Sequence, residues 1–267
     1  MNNSNNLEKN ELFALAIENH AKNKLEVAKD LYEDVLKIDP KYIKALNNLG
    51  VLYQSTKNYK KAKNYYEKAI EIHYNYDDAH TNLGIVFKIL NDLPRATLSF
   101  QKAIEINPHH TNANYNLGSN FETLGDYKKA KIFYKKVIEI NPNYFNAYNS
   151  LANLFIKLSE FEKAKSYYKK VIEADPNNLI ALNGLGFLLY KIGKNKKAKI
   201  FFDKVLKFNP NFIDAQKNIN TLYISELLDL EKATNSSYKT LKMIKSNSNF
   251  IDQSISLFRL KHDFEQA

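Results

Sequence analysis

An all-α solenoid of stacked helical hairpins is the fold that this 267-residue chain predicts, and three observations predict it. Pro40, Pro108, Pro142, Pro176 and Pro210 fall on a grid with a spacing of about 34 residues, and Tyr74 fills the one slot without proline. Places are counted here so that the proline of each unit stands at place 32. Apolar columns then recur at helical spacing, with Leu49, Leu83, Leu117, Leu151 and Leu185 at place 7 and Tyr53, Phe87, Phe121, Phe155 and Leu189 at place 11. Large columns also alternate with small ones: Gly50, Gly84, Gly118, Ala152 and Gly186 at place 8, Ala28, Ala62, Ala96, Ala130, Ala164 and Ala198 at place 20, and Tyr32, Tyr66, Phe100, Tyr134, Tyr168 and Phe202 at place 24.

Each element follows from these columns. Residues 1–8, MNNSNNLE, are polar and are expected to be unstructured. Six units follow, 9–42, 43–76, 77–110, 111–144, 145–178 and 179–212, each with a first and a second helix. Two helices cross closely only where side chains are small, so Gly50 and Ala62 are expected to meet, with Tyr53 and Tyr66 filling the space beside them. Gly125 and Gly193 fall between the two helices of their units, where a left-handed C-cap is wanted. Proline ends each second helix because it cannot continue one. Residues 213–234 begin a partial seventh unit or capping helix, IDAQKNINTLY, in which the polar Gln216 and Asn220 suit a face turned to solvent. Residues 235–267 read as a helical extension whose stripe of Ile251, Ile255 and Phe258 is expected to dock on the array or on a second copy.

A column pattern held in register over six units resembles the tetratricopeptide repeat family, from about Lys9 to Phe212. The resemblance implies a right-handed superhelix with first helices on the concave side and second helices on the convex side. Leu12, Leu46 and Leu182 stand where the family usually has tryptophan at place 4, and His80, Asn114 and Tyr148 fill the same place elsewhere.

Composition narrows the partners. There is no cysteine, so disulfides and thiolate metal sites are excluded. The polar N-terminus lacks the apolar stretch of a signal peptide, and no window approaches a membrane span, so a cytoplasmic location is expected. The formal charge of +10 invites a nucleic-acid reading. Its placement argues otherwise: the lysines cluster in second helices, as in Tyr59–Lys63, Tyr127–Lys131 and Asn195–Lys199, and Arg95 and Arg259 are the only arginines. No specific nucleic-acid partner is expected.

Core places 4, 7, 8 and 11 gather on one side of the first helix, so places 2, 6, 9 and 13 point the other way. In the family architecture those places line the concave groove. Place 6 reads Ala14, Asn48, Asn82, Asn116, Ser150, Gly184 and Asn218, and around it stand Asn112, Asn146 and Asn153 with an apolar patch of Val51, Ile85 and Ile89. A carboxamide both donates and accepts, so a row of them can pair with the backbone of an extended peptide whatever its side chains. Asn48, Asn82, Asn116 and Asn218 resemble the asparagine ladder of O-linked N-acetylglucosamine transferases, which implies a polypeptide held by its backbone; Ser150 and Gly184 interrupt it. Inheritance of these columns in duplicated, asparagine-rich repeats is the alternative reading. Chaperone co-factors of the same fold hold a C-terminal carboxylate with basic residues at places 2, 5 and 6, but Phe13, Asp78 and Asn82 do not match, and no chaperone tail is expected.

No phosphate loop, nucleophile elbow or zinc signature occurs, and His109-His110 shows no third ligand in the sequence, so neither catalysis nor a cofactor is expected. Two functional classes remain: an interaction scaffold that takes an extended peptide or partner protein in its groove, and the substrate-recruiting module of a larger enzyme, such as a glycosyltransferase.

Overall fold

The computed structural model describes residues 2–226, and all thirteen elements among them are helices. The chain divides into two compact units, 1–143 and 144–267. The first holds four hairpins: α1 (Asn2–Ala21) with α2 (Leu25–Ile38), α3 (Ile43–Ser55) with α4 (Tyr59–Ile72), α5 (Asp77–Ile89) with α6 (Leu93–Ile106), and α7 (Thr111–Thr123) with α8 (Tyr127–Ile140). The second holds α9 (Phe145–Lys157) with α10 (Phe161–Ala174), α11 (Leu179–Lys191) with α12 (Asn195–Phe208), and α13 (Ile213–Glu226). Within each unit a second helix packs on the next first helix, and first helices also touch one another, as α3 with α5, α5 with α7, and α9 with α11. First helices therefore share one face. The extension expected over 235–267 lies outside the described residues.

Packing inside a hairpin is set by glycine and aromatic columns. The space at Gly50 is filled by the Tyr66 ring, so close that a Cβ there would lie 2.4 Å from it; Gly84 with Phe100 and Gly186 with Phe202 repeat the arrangement. Tyr53 is half-buried: it packs against the core from its edge and stacks on Tyr65, with ring centroids 5.4 Å apart.

Two expectations are corrected. Residues 2–8, expected to be unstructured, continue α1 as far back as Asn2. Gln216 and Asn220, expected on a solvent face, are 7% and 2% exposed. The reason for the first of these is visible in the place-4 column. Gln216 donates from Nε2 to the Pro210 carbonyl, Asn114 donates from Nδ2 to the Pro108 carbonyl, and His80 Nε2 lies 2.8 Å from the Tyr74 carbonyl. A polar side chain at place 4 is buried because the carbonyl at place 32 of the preceding unit receives its proton.

Both turns of the hairpin are stereotyped. Place 15 is left-handed in every unit, at Asn23, Lys57, Asn91, Gly125, Ser159 and Gly193. The two glycines are as expected, whereas Lys57 and Ser159 hold a conformation that disfavours a Cβ. Lys57→Gly and Ser159→Gly should each raise stability by roughly 0.5–1 kcal/mol, the relief of left-handed strain less the added freedom of glycine in the unfolded chain. Urea unfolding of each variant checks this. At the other turn, Asp39, Asn107, Asn141, Asp175 and Asn209 each accept the backbone N–H two residues on, so an Asx turn acts with the proline to end the second helix.

Candidate functional site

Asparagines at place 6 lie on the first-helix face of each unit, half-buried at Asn48, Asn82 and Asn116 in the first unit and at Asn218 in the second. Two of these amides already have partners in the neighbouring repeat. Asn82 donates from Nδ2 to Asn47 Oδ1 at 3.0 Å, and Asn218 donates to Asn183 Oδ1 at 3.0 Å. In each pair the place-5 amide of one repeat accepts from the place-6 amide of the next. Asn47 is only 6% exposed, so this bond satisfies an oxygen that solvent scarcely reaches. Asn48 donates to the Tyr32 hydroxyl at 3.3 Å, and Asn116 only to the Asn112 carbonyl one turn back in its own helix. Much of the donor capacity of the row therefore serves the scaffold, and Asn116 is the member whose side chain supports no other helix in these bonds.

The predicted neighbours lie as follows. Val51 and Ile85 are half-buried and Ile89 is 47% exposed, which leaves an apolar patch beside Asn82; Asn112, Asn146 and Asn153 are exposed. Beneath this face run the place-24 tyrosines of the second helices. They cross the core and end in hydrogen bonds to first-helix polar groups: Tyr66 Oη donates to Gln54 Oε1 at 3.0 Å, Tyr134 Oη to Glu122 Oε2 at 2.8 Å, and Tyr168 Oη to Asn153 Oδ1. Burial pushes all three phenols well above the usual range, so they stay protonated donors that orient the groups above them.

Gly184, an interruption of the ladder by sequence, has a packing cause. Where place 8 carries Gly50 or Gly118, the aromatic ring lies against that glycine. Ala152 takes this place in its own hairpin, and the Tyr168 ring lies instead on Gly184 of the next repeat, where a Cβ would stand 2.4 Å from it. The two departures compensate each other.

Lys88, at place 12, escaped the sequence reading. It is half-buried, donates from Nζ to Ser119 Oγ at 2.5 Å, and is pushed below the usual lysine range by burial, against the opposing charge of Glu122. The polar run of His20, Gln54, Lys88 and Glu122 at place 12 was the available signal.

On the other side of the hairpin, bases at place 19 cover the place-11 aromatics. Lys61 lies 4.9 Å from the Tyr53 centroid, Arg95 4.6 Å from Phe87, Lys129 5.0 Å from Phe121 and Lys163 5.6 Å from Phe155. Arg95, Lys129 and Lys163 also pair with Asp92, Asp126 and Glu160 three residues earlier. These bases are thus more than a solvated surface, each contact contributing about 0.5–1 kcal/mol.

The fold brings Asp77 and Asp78 to His110, with ligand atoms within 4.8 Å of one another, company that spacing alone did not show. His110 Nδ1 accepts the Ala113 N–H at 3.3 Å, which leaves Nε2 to carry a proton toward Asp78 Oδ1 at 3.1 Å. Asp78 raises the His110 pKa, and His110 lowers that of Asp78. The histidine contribution is complete below its unfolded pKa and is lost as pH rises through the folded value. The aspartate contribution is present above its unfolded pKa and is lost as pH falls through the folded value, so the pair is strongest between roughly pH 4 and 6.5. His80, by contrast, is lowered by burial. An NMR titration should find His110 losing its proton above 6.5 and His80 below it, and Asp78→Asn should bring His110 down toward the ordinary value.

With this geometry in hand, the comparisons agree on the class of protein. Residues 43–73, 111–144, 145–178 and 167–200 each match the tetratricopeptide repeat. The chain belongs to the tetratricopeptide repeat family, and its fold is an all-α repeat solenoid. Comparison with curated protein sequences gives no match. Among solved structures, a tetratricopeptide repeat protein from Parabacteroides merdae is 20% identical with a TM-score of 0.76, covering 94% of this chain and 98% of that one. PilF of Pseudomonas aeruginosa is 20% identical with a TM-score of 0.70, covering 80% and 97%. YrrB, described as a tetratricopeptide repeat protein with an unusual peptide-binding site, is 21% identical with a TM-score of 0.54, covering 69% and 95%. At these identities the likeness is one of fold. Among the described residues no helix is long and apolar enough to cross a membrane.

Proposed function

We infer that the protein is a non-catalytic interaction scaffold that binds an extended peptide, or an extended segment of a partner protein, along its first-helix face. The observation that carries this reading is the Asn116 environment: an amide bonded only within its own helix, beside exposed Asn112, on a helix that packs against α5 with its apolar Ile85 and Ile89. Amides there can pair with a peptide backbone while the aliphatic patch takes side chains. The peptide-binding site named for YrrB, on the same fold, supports the class of partner. Nucleic acid fits less well, because many bases of the second helices are already engaged by aromatic rings and carboxylates.

Selection of peptides from a random dodecapeptide display library on the full chain tests the reading. Binders should be recovered, and Asn116→Ala with Ile85→Ser should weaken them at least tenfold at unchanged circular dichroism. Binders indifferent to both substitutions would refute it.

A further inference from the structure

In three hairpins of the first unit the polar group at place 12 of the first helix meets the tyrosine hydroxyl at place 24 of the same hairpin. His20 lies 3.4 Å from the Tyr32 hydroxyl, Gln54 Oε1 accepts from Tyr66, and Glu122 Oε2 accepts from Tyr134. In the remaining hairpin place 12 is Lys88 and place 24 is Phe100, whose ring carries no hydroxyl. Lys88 therefore lacks this partner in its own hairpin and reaches across to α7, where Ser119 Oγ accepts one of its protons.

An ammonium has three protons to donate. Ser119 takes one, and no carboxylate pairs with Lys88 among the described residues: Glu122, the acid whose charge it feels, receives the Tyr134 hydroxyl. Burial pushes Lys88 below the usual lysine range, whereas Lys29, Lys37, Lys102 and Lys199 are each raised, first of all by a bonded carboxylate. A half-buried charge without a paired counter-charge carries a desolvation cost that an incoming anion offsets. The charge stands where α5 and α7 touch. Ile85 is one turn before Lys88 on α5 and Asn116 one turn before Ser119 on α7, and all four are half-buried, so each stays partly open to solvent.

We propose that Lys88, held by Ser119, is a specificity subsite that binds the side-chain carboxylate of an aspartate or glutamate in the extended partner peptide. It rests on the peptide-binding reading above and assigns the charge which that peptide carries. The two remaining ammonium protons meet the carboxylate, a charge-assisted contact, while Asn116 pairs with the backbone beside the acidic residue.

Dodecapeptides selected on the full chain and resynthesised with amidated C-termini should share an aspartate or glutamate. Lys88→Met, which keeps the aliphatic length and removes the charge, should weaken them about tenfold or more. Exchanging the shared acid of the peptide for its amide should weaken binding to the native chain but add nothing on Lys88→Met, and Lys88→Glu should turn selection toward lysine or arginine. Lys88→Met should also unfold at the same or a higher urea concentration, since it removes a charge that has no paired counter-charge. Peptides without a shared acid, or held equally by Lys88→Met, would overturn the subsite. So would binding lost on amidation, since the terminal carboxylate would then be the group held, and so would a loss of stability in Lys88→Met with binding undiminished, which marks a purely structural lysine. Binders lost on Asn116→Ala with Ile85→Ser but indifferent to Lys88→Met would remove the subsite and leave peptide binding standing. Failure to select any binder would remove both.

Discussion

Gly184→Ala should destabilise the second unit by about 3 kcal/mol, because the new Cβ would overlap the Tyr168 ring in a closely packed interior. The loss should be conditional. Ala152 stands at the place where glycine receives the ring in other hairpins, so Ala152→Gly opens a second berth for Tyr168. Alone, Ala152→Gly should cost roughly 1 kcal/mol as glycine in a helix interior. The double variant should be more stable than the sum of its parts by about 1–2 kcal/mol, a coupling expected of residues that share one partner. Urea unfolding of the four proteins measures it. Additive effects would show that Ala152 does not direct the Tyr168 ring.

A contrast within the asparagine row gives the second large effect. Asn82→Ala leaves the buried Asn47 oxygen without its donor and should lose about 1–2 kcal/mol, whereas Asn218→Ala removes the donor to the half-buried Asn183 and should lose about 0.5–1 kcal/mol. Asn116→Ala removes a bond within one helix turn and puts the better helix former in its place, so stability should hold or rise by a few tenths of a kcal/mol. Peptide binding should respond the other way. One backbone hydrogen bond of about 1 kcal/mol lost at Asn116 corresponds to roughly a fivefold fall in affinity. Thermal unfolding and fluorescence polarisation on the same three variants separate scaffold amides from binding amides.

The sequence carried the hairpins plainly, because a column of Gly50, Gly84 and Gly118 repeated in register fixes both the period and the close-packed side. It carried the left-handed turn at Gly125 and Gly193, but not the same conformation at Lys57 and Ser159, whose residue types give no sign of it. The ladder was visible as a column, whereas its bonds were not: Asn47 with Asn82 joins adjacent repeats, and a pattern within one repeat cannot show which side chains reach the next. For the same reason Ala152 and Gly184 read as two unrelated departures. Gln216 was misplaced because polarity was taken as exposure, although a carbonyl at place 32 satisfies it inside the fold. Residues 2–8 were judged on composition, but they continue the helix set by the apolar places of α1.

Photo-crosslinking of a selected peptide addresses the binding face most directly. A benzophenone amino acid is placed at Ile89 or Ser119 on the first-helix face of the first unit, or at Lys136 on a second helix, and the peptide is irradiated with each labelled protein. Adducts from Ile89 and Ser119, reduced by excess unlabelled peptide and absent from Lys136, are the predicted result. Adducts from Lys136 with none from Ile89 or Ser119 would contradict the assignment of the first-helix face as the site where this protein holds its partner.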